Sequence, residues 1–122
     1  MEFRCLFLCD EAEEPALRCG IEQCSDNANS IITQEWYHRR EDLLYRIRSG
    51  CYDAVVVALP GALGMEAVLG VRNLDAKVPL IWCSDDDVFA LQSYRLFVTT
   101  FLRMPVKAEQ LAKALAQCIV AT

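Results

Sequence analysis

The sequence predicts an α/β domain in which a parallel five-stranded sheet lies between two layers of helices. Strand-like and helix-like periods alternate along the whole chain of 122 residues, the signature of successive β-α units. The strand segments are near-continuous apolar runs, as expected of parallel strands covered on both faces. Hydrophobic residues make up 54% and charged residues 24%, enough to bury a core within one domain, 1–122, and too few residues for two.

The elements follow in order. Phe3 to Cys9 is a strand that becomes almost wholly apolar. Glu13-Glu14-Pro15 opens a helix, because proline fits the first turn and acids suit the positive helix end. Leu17, Ile21 and Cys24 form its inner stripe, and the polar run 25–29 ends it. A short strand over Ser30–Gln34 follows. The next helix spans about residues 39–49, with Leu43, Leu44 and Ile47 inward, Arg39, Arg40, Arg46 and Arg48 in solvent, and Gly50 as its stop. Asp53–Leu59 is the most apolar strand, broken by Pro60-Gly61. A helix from about Leu63 to Asn73 presents Met65, Val68 and Leu69. Val78–Cys83 is the fourth strand. Asp85, Asp86 and Asp87 cap a helix carrying Phe89, Ala90, Leu91 and Tyr94. Val98–Leu102 is the fifth strand. The last helix places Leu111, Leu115, Cys118 and Ile119 on one stripe.

Five strands and five helices in strict alternation specify a doubly wound (βα)5 three-layer sandwich. At this length the expected topology is flavodoxin-like, strand order 2-1-3-4-5, with any site at the carboxyl ends of the strands. Trp36 and Tyr37 read equally well as an exposed edge or as a loop anchor.

Charge and composition exclude several classes. The net charge is −5, against the basic footprint of a free-standing nucleic-acid binder. It is uneven: residues 1–30 carry seven acids and two bases, whereas 91–122 carry four bases and one acid. No apolar run is long enough to span a membrane or form a signal-peptide core, which implies a cytoplasmic location. The seven cysteines contain no C-x-x-C, and the single His38 is distant in sequence from any cysteine pair. That spacing fits neither a structural zinc site nor a disulfide framework. The cysteines read as small buried hydrophobes. Cys9 and Cys83 end two strands, with nothing basic beside them in sequence to activate a thiol.

At the strand ends, CDEAEE, the run EDLLYRIRSGCYDAVVVALPGALGMEAV and the run LIWCSDDDVFALQSYRLFVTTFLRMPVKAEQLAKAL carry a recognisable pattern. Through them the chain resembles the receiver domain of two-component response regulators over its whole length, above all receivers that precede LytTR-type DNA-binding domains. The region 19–38 matches poorly. The resemblance implies an acidic pair at Asp10 and Glu11, a hydroxyl at Ser84 that contacts a phosphoryl group, a reorienting aromatic at Phe101, and a cis proline at Pro105. It also implies pairing through the face of helix four, strand five and helix five, which here carries Arg95, Phe101, Arg103, Lys107 and Lys113, with Asp86, Asp87 and Glu109 as ionic partners.

Two positions depart from the pattern. The phosphoacceptor position, five after Asp53, is Ala58, and the lysine position is Met104. A methyl offers neither nucleophile nor metal ligand, and a thioether offers no donor to phosphate. Removing a reactive anion together with its neighbouring cation is chemically self-consistent, because three carboxylates without the cation repel. The expectation is a degenerate receiver, not an enzyme, that acts by phosphorylation-independent protein contacts. Its partners would be a second copy or a C-terminal LytTR-type DNA-binding domain, with no direct nucleic-acid contact of its own. No cofactor is expected beyond weak Mg²⁺ at Asp10 and Glu11. The alternative is a receiver phosphorylated elsewhere, at Ser84 or Asp10. A flavodoxin-like ligand-binding domain or small enzyme ranks lower, because the loop after strand one is acidic where phosphate needs a glycine-rich cradle and no histidine is expected in a strand-end loop.

Overall fold

The computed structural model describes residues 2–28 and 30–121. Asn29, assigned above to the end of the first helix, lies outside them. Five parallel strands, β1 (Glu2–Cys9), β2 (Ile31–Tyr37), β3 (Ala54–Ala58), β4 (Leu80–Ser84) and β5 (Thr100–Arg103), form one sheet ordered β2-β1-β3-β4-β5. The helices are α1 (Glu14–Ala28), α2 (Arg40–Arg48), α3 (Gly61–Leu74), α4 (Ala90–Arg95) and α5 (Ala108–Ala121). This is the expected flavodoxin-like topology.

The alternation of side chains along each strand divides the core in two. Cys5, Phe7, Cys9, Val56, Ala58, Ile81 and Cys83 face α1 and α5, where they meet Leu17, Ile21, Leu111 and Leu115. Leu6, Leu8, Val55, Val57, Leu80 and Trp82 face the other way, onto Leu43, Ile47, Val68 and Val71 of α2 and α3. Every residue of β3 and β4 is buried, which explains why these strands read as unbroken apolar runs.

Several boundaries and faces differ from the sequence reading. β2 runs to Tyr37, three residues further than expected. It is an edge strand, half-buried and rich in polar side chains, so its later residues lack a strand-like hydrophobic pattern. Trp36 and Tyr37 therefore belong to the sheet. Trp36 stacks on Phe7 with ring centroids 4.4 Å apart, and the Arg18 guanidinium covers it at 4.3 Å. Arg46 is not part of a solvated face. It grips Glu35 with two nitrogens at 2.8 and 3.2 Å and donates to the Gly50 carbonyl at 2.6 Å. Leu69 is exposed, and the inner face of α3 is instead Gly64, Ala67, Val68 and Val71. The segment after β4 is a 3₁₀ turn, Asp87–Phe89, followed by only six residues of α4. Leu91 and Tyr94 lie outside the core.

Candidate functional site

The carboxyl edge of the sheet carries one continuous row. Ala58 is the register partner of Cys9 on β1 and of Cys83 on β4. All three are fully buried on the side facing α1 and α5. The centre of the edge is therefore a methyl between two thiols. Burial, reinforced by Glu14 and Asp10, pushes the Cys9 thiol up to about 12, and burial raises Cys83 as well. Neither is a thiolate near neutral pH.

The loops above this row are tied down by acids. Asp10 and Glu11 follow β1 and are exposed; the Asp10 carbonyl accepts the Glu13 N–H at 3.1 Å as the chain turns into α1. Ser84 is fully buried, and its Oγ accepts the Asp86 N–H at 3.3 Å. The three aspartates after it do not act together as a cap, as the sequence suggested. Asp86 alone caps, accepting the Val88 N–H at 2.9 Å. Asp85 reaches across to accept the Gly61 N–H at the start of α3, also at 2.9 Å. Asp87 pairs with Arg103 at the end of β5. Each follows from chain direction: only Asp86 has its carboxylate beside the first free N–H groups of the turn.

Phe101 is half-buried on the α2/α3 side of the sheet. Its ring meets Trp82 edge-on, centroids 5.4 Å apart, so it faces inward and not out over the α4–β5–α5 surface. Met104 packs against the α1/α5 core, its N–H donates to the Ser84 carbonyl at 2.8 Å, and the Met104–Pro105 peptide is cis. Arg95, Lys107 and Lys113 are exposed.

A cleft of about 240 Å³ opens beside Asp10, lined also by His38, Arg39, Arg40, Leu63 and Glu66. Arg40 spans it to Glu66 at 2.8 Å. Mg²⁺ binds through carboxylates and waters, and here Arg40 occupies both Glu66 and Glu41. Two guanidinium groups, Arg39 and Arg40, line the space beside Asp10.

The sequence reading missed His38. With β2 ending at Tyr37, His38 stands in a strand-end loop after all, and its Nδ1 lies 2.9 Å from the Cys9 carbonyl oxygen. It also missed Arg72, whose guanidinium donates to the carbonyls of Leu96, Phe97, Asp75 and Val78 at 2.7–3.2 Å. Arg72 thereby fixes the loop between α4 and β5. No local motif marks either residue.

No family model matches the chain, and none of the curated proteins does. Solved structures share its fold. The non-phosphorylated HemR receiver domain of Leptospira biflexa aligns with a TM-score of 0.77 at 18% identity, over 98% of this chain and 96% of that one. A two-component response regulator from Clostridium difficile aligns with 0.74 at 17%, over 97% and 96%. A putative CpaE2 pilus assembly protein from Sinorhizobium meliloti aligns with 0.69 at 14%, over 94% and 98%. Among the described residues no helix is long and apolar enough to cross a membrane.

Proposed function

We propose that this domain is a receiver-type signalling module of two-component systems that has lost phosphoryl transfer and works through protein contacts. The observation that carries the reading is the row Cys9–Ala58–Cys83. The position that would accept a phosphoryl group is a buried methyl, and the position that would neutralise it is Met104, turned onto the core. With nucleophile and cation both absent, no charge is left for phosphorylation to rearrange. Asp10, Glu11, Ser84, Phe101, Met104 and Pro105 are read as the remaining shell of that pocket.

The contact surface is read at α4, β5 and α5. Val88, Leu91, Tyr94 and Phe97 recur every third residue from the 3₁₀ turn through α4 into the loop after it, and each is 60–82% exposed. Four large apolar side chains held in water on so short a segment fit a surface that is covered by a protein. Arg95, Lys107 and Lys113 on one side, with Asp86 and Glu109 as exposed acids, allow a self-complementary two-fold pairing. The LytTR resemblance extends the proposal to a DNA-binding output domain in the whole protein, which the coding sequence beyond residue 122 tests.

Incubation with acetyl phosphate and Mg²⁺ followed by intact mass tests the loss of phosphoryl transfer. The expected spectrum is unchanged. Stable gain of one phosphoryl group, at Ser84, Asp10 or elsewhere, overturns the reading. Sedimentation equilibrium over a concentration series tests the pairing, with a strict monomer at the highest concentration counting against it.

A further inference from the structure

The pairing of Phe7 with Trp36 in adjacent strands has a consequence two residues on. Side chains two apart in a strand share a face, so Cys9 and His38 emerge together, level with one another, on the α1 side. The first turn of α1 then brings Glu14 over them. The Sγ of Cys9, a carboxylate oxygen of Glu14 and a ring nitrogen of His38 lie within 4.8 Å of one another.

We infer that Cys9, Glu14 and His38 form a binding site for one zinc-class divalent cation. The donor set is one sulfur, one imidazole nitrogen and one oxygen, the mixture suited to Zn²⁺ or Co²⁺ and unsuited to Mg²⁺ or Ca²⁺, which need more oxygens. A tetrahedral zinc with bonds of about 2.0–2.3 Å separates its donors by about 3.3–3.8 Å. His38 Nε2 and Glu14 Oε1 are already 3.9 Å apart, so contraction of at most about 1.5 Å across the cluster closes the site, and a water completes the tetrahedron.

The surroundings orient the ligands as metal sites do. A carbonyl oxygen can only accept, so the His38 Nδ1 facing the Cys9 carbonyl carries the proton. In the neutral ring that directs the Nε2 lone pair toward Glu14. Such a bond from the second ring nitrogen is what holds a ligating histidine in place. The other oxygen of Glu14 accepts from Arg18 at 3.3 Å, and Arg18 is itself held over Trp36. His38 also lines the open cleft beside Asp10, so its ring is reached from solvent, whereas the Cys9 sulfur is buried. The thiol proton of Cys9 passes to the buffer as the ion binds.

The test is titration with Co²⁺ of the full chain carrying Cys19→Ser and Cys51→Ser, which removes the two exposed thiols as rival ligands. The expected result is a thiolate-to-cobalt charge-transfer band together with the visible bands of tetrahedral cobalt, saturating at one equivalent and bleached by Zn²⁺. His38→Ala, at a half-exposed position, should weaken binding at least about tenfold, the scale reported even for residues one shell further out. Glu14→Gln should also weaken it, and Cys9→Ser should remove the charge-transfer band. No cobalt–thiolate band in the double-serine protein overturns the inference. So does a band of unchanged affinity in folded His38→Ala, which leaves His38 and Glu14 as an ion pair only.

Discussion

The carboxylate of Asp85 accepts the backbone N–H of Gly61 at 2.9 Å, joining the loop after β4 to the start of α3 across the buried methyl of Ala58. Gly61 enters the helix with φ of +53°, a left-handed conformation that residues with a Cβ adopt at a cost of about 1–2 kcal/mol. The loop of β3 is therefore closed by one side chain and one special backbone position. Asp85→Ala should lower stability by about 1 kcal/mol, the worth of one such bond, and speed hydrogen exchange at the Gly61 amide. Gly61→Ala should lower stability by a similar amount through strain. Unfolding in urea with residue-resolved exchange measures both, and an unchanged Gly61 exchange rate in Asp85→Ala would show that the bond does not persist in solution.

Gly64, one turn further along α3, sits where the helix leaves no room for a side chain. A β-carbon there would lie 2.4 Å from the Leu59 carbonyl oxygen and 3.3 Å from Trp82 Nε1. Backbone cannot yield as a side-chain tip does, so the helix would have to move off β4 and the loop that follows β3. Gly64→Ala should destabilise the domain by about 1–3 kcal/mol, against the gain alanine brings to an ordinary helix position. A chemical midpoint at or above that of the unmodified chain would refute the packing.

How much of this was legible beforehand depended on burial. β3, β4 and the second half of β1 declared themselves because both faces are covered, so nearly every residue there is apolar. α1 and α5 declared themselves through Leu17, Ile21 and Cys24, and through Leu111, Leu115 and Cys118. The second half of β2 did not, because an edge strand alternates polar residues with Trp36 and Tyr37 and resembles a loop. That one misplacement concealed the meeting of His38 with Cys9, two residues 29 apart. At α4 the apolar residues were legible but their direction was not. Leu91 and Tyr94 fall on this helix without an assigned face, and they face solvent, since the helix is too short to bury a stripe. At the strand ends, Ala58 and Ser84 fell where their order predicted. The tasks of Asp85 and Arg103 did not, because both are settled by partners distant in sequence.

Two carboxylates set the acid limb of stability. Hydrogen bonds from Arg46, joined by Tyr37, hold Glu35 below its ordinary value of 4.5. Burial pulls Asp75 the other way, but bonds from Tyr52 and from the N–H groups of Lys77 and Val78 outweigh it and hold Asp75 below 3.8. For both, the folded state binds its proton less readily than the unfolded chain. Their contribution is complete above the ordinary values and disappears as pH falls through the lowered ones. Stability should therefore decline below about pH 4.5, while these groups leave the neutral range flat. Glu35→Gln should shallow that decline and reduce the proton uptake on unfolding. An identical acid limb in the variant would exclude Glu35 as its source.

Phe97 separates folding from association. It is 82% exposed, yet its backbone lies at φ of +54°, so this residue type brings strain and little burial to the isolated domain. The left-handed backbone belongs to the end of α4, where Phe97 N–H donates to the Tyr94 carbonyl and Arg72 donates to the Phe97 carbonyl, so the fold does not itself call for the exposed ring. Asparagine tolerates the left-handed region far better. Phe97→Asn should therefore leave thermal stability equal or raise it by up to about 1 kcal/mol, while weakening self-association at least about tenfold if the α4 surface is the one that pairs. Leu91→Ala, on the same surface with no backbone strain, should weaken association without the gain in stability. Calorimetry and sedimentation on the two variants read the two effects independently. Loss of stability in Phe97→Asn, or unchanged association in both, would remove this surface from the proposed contact.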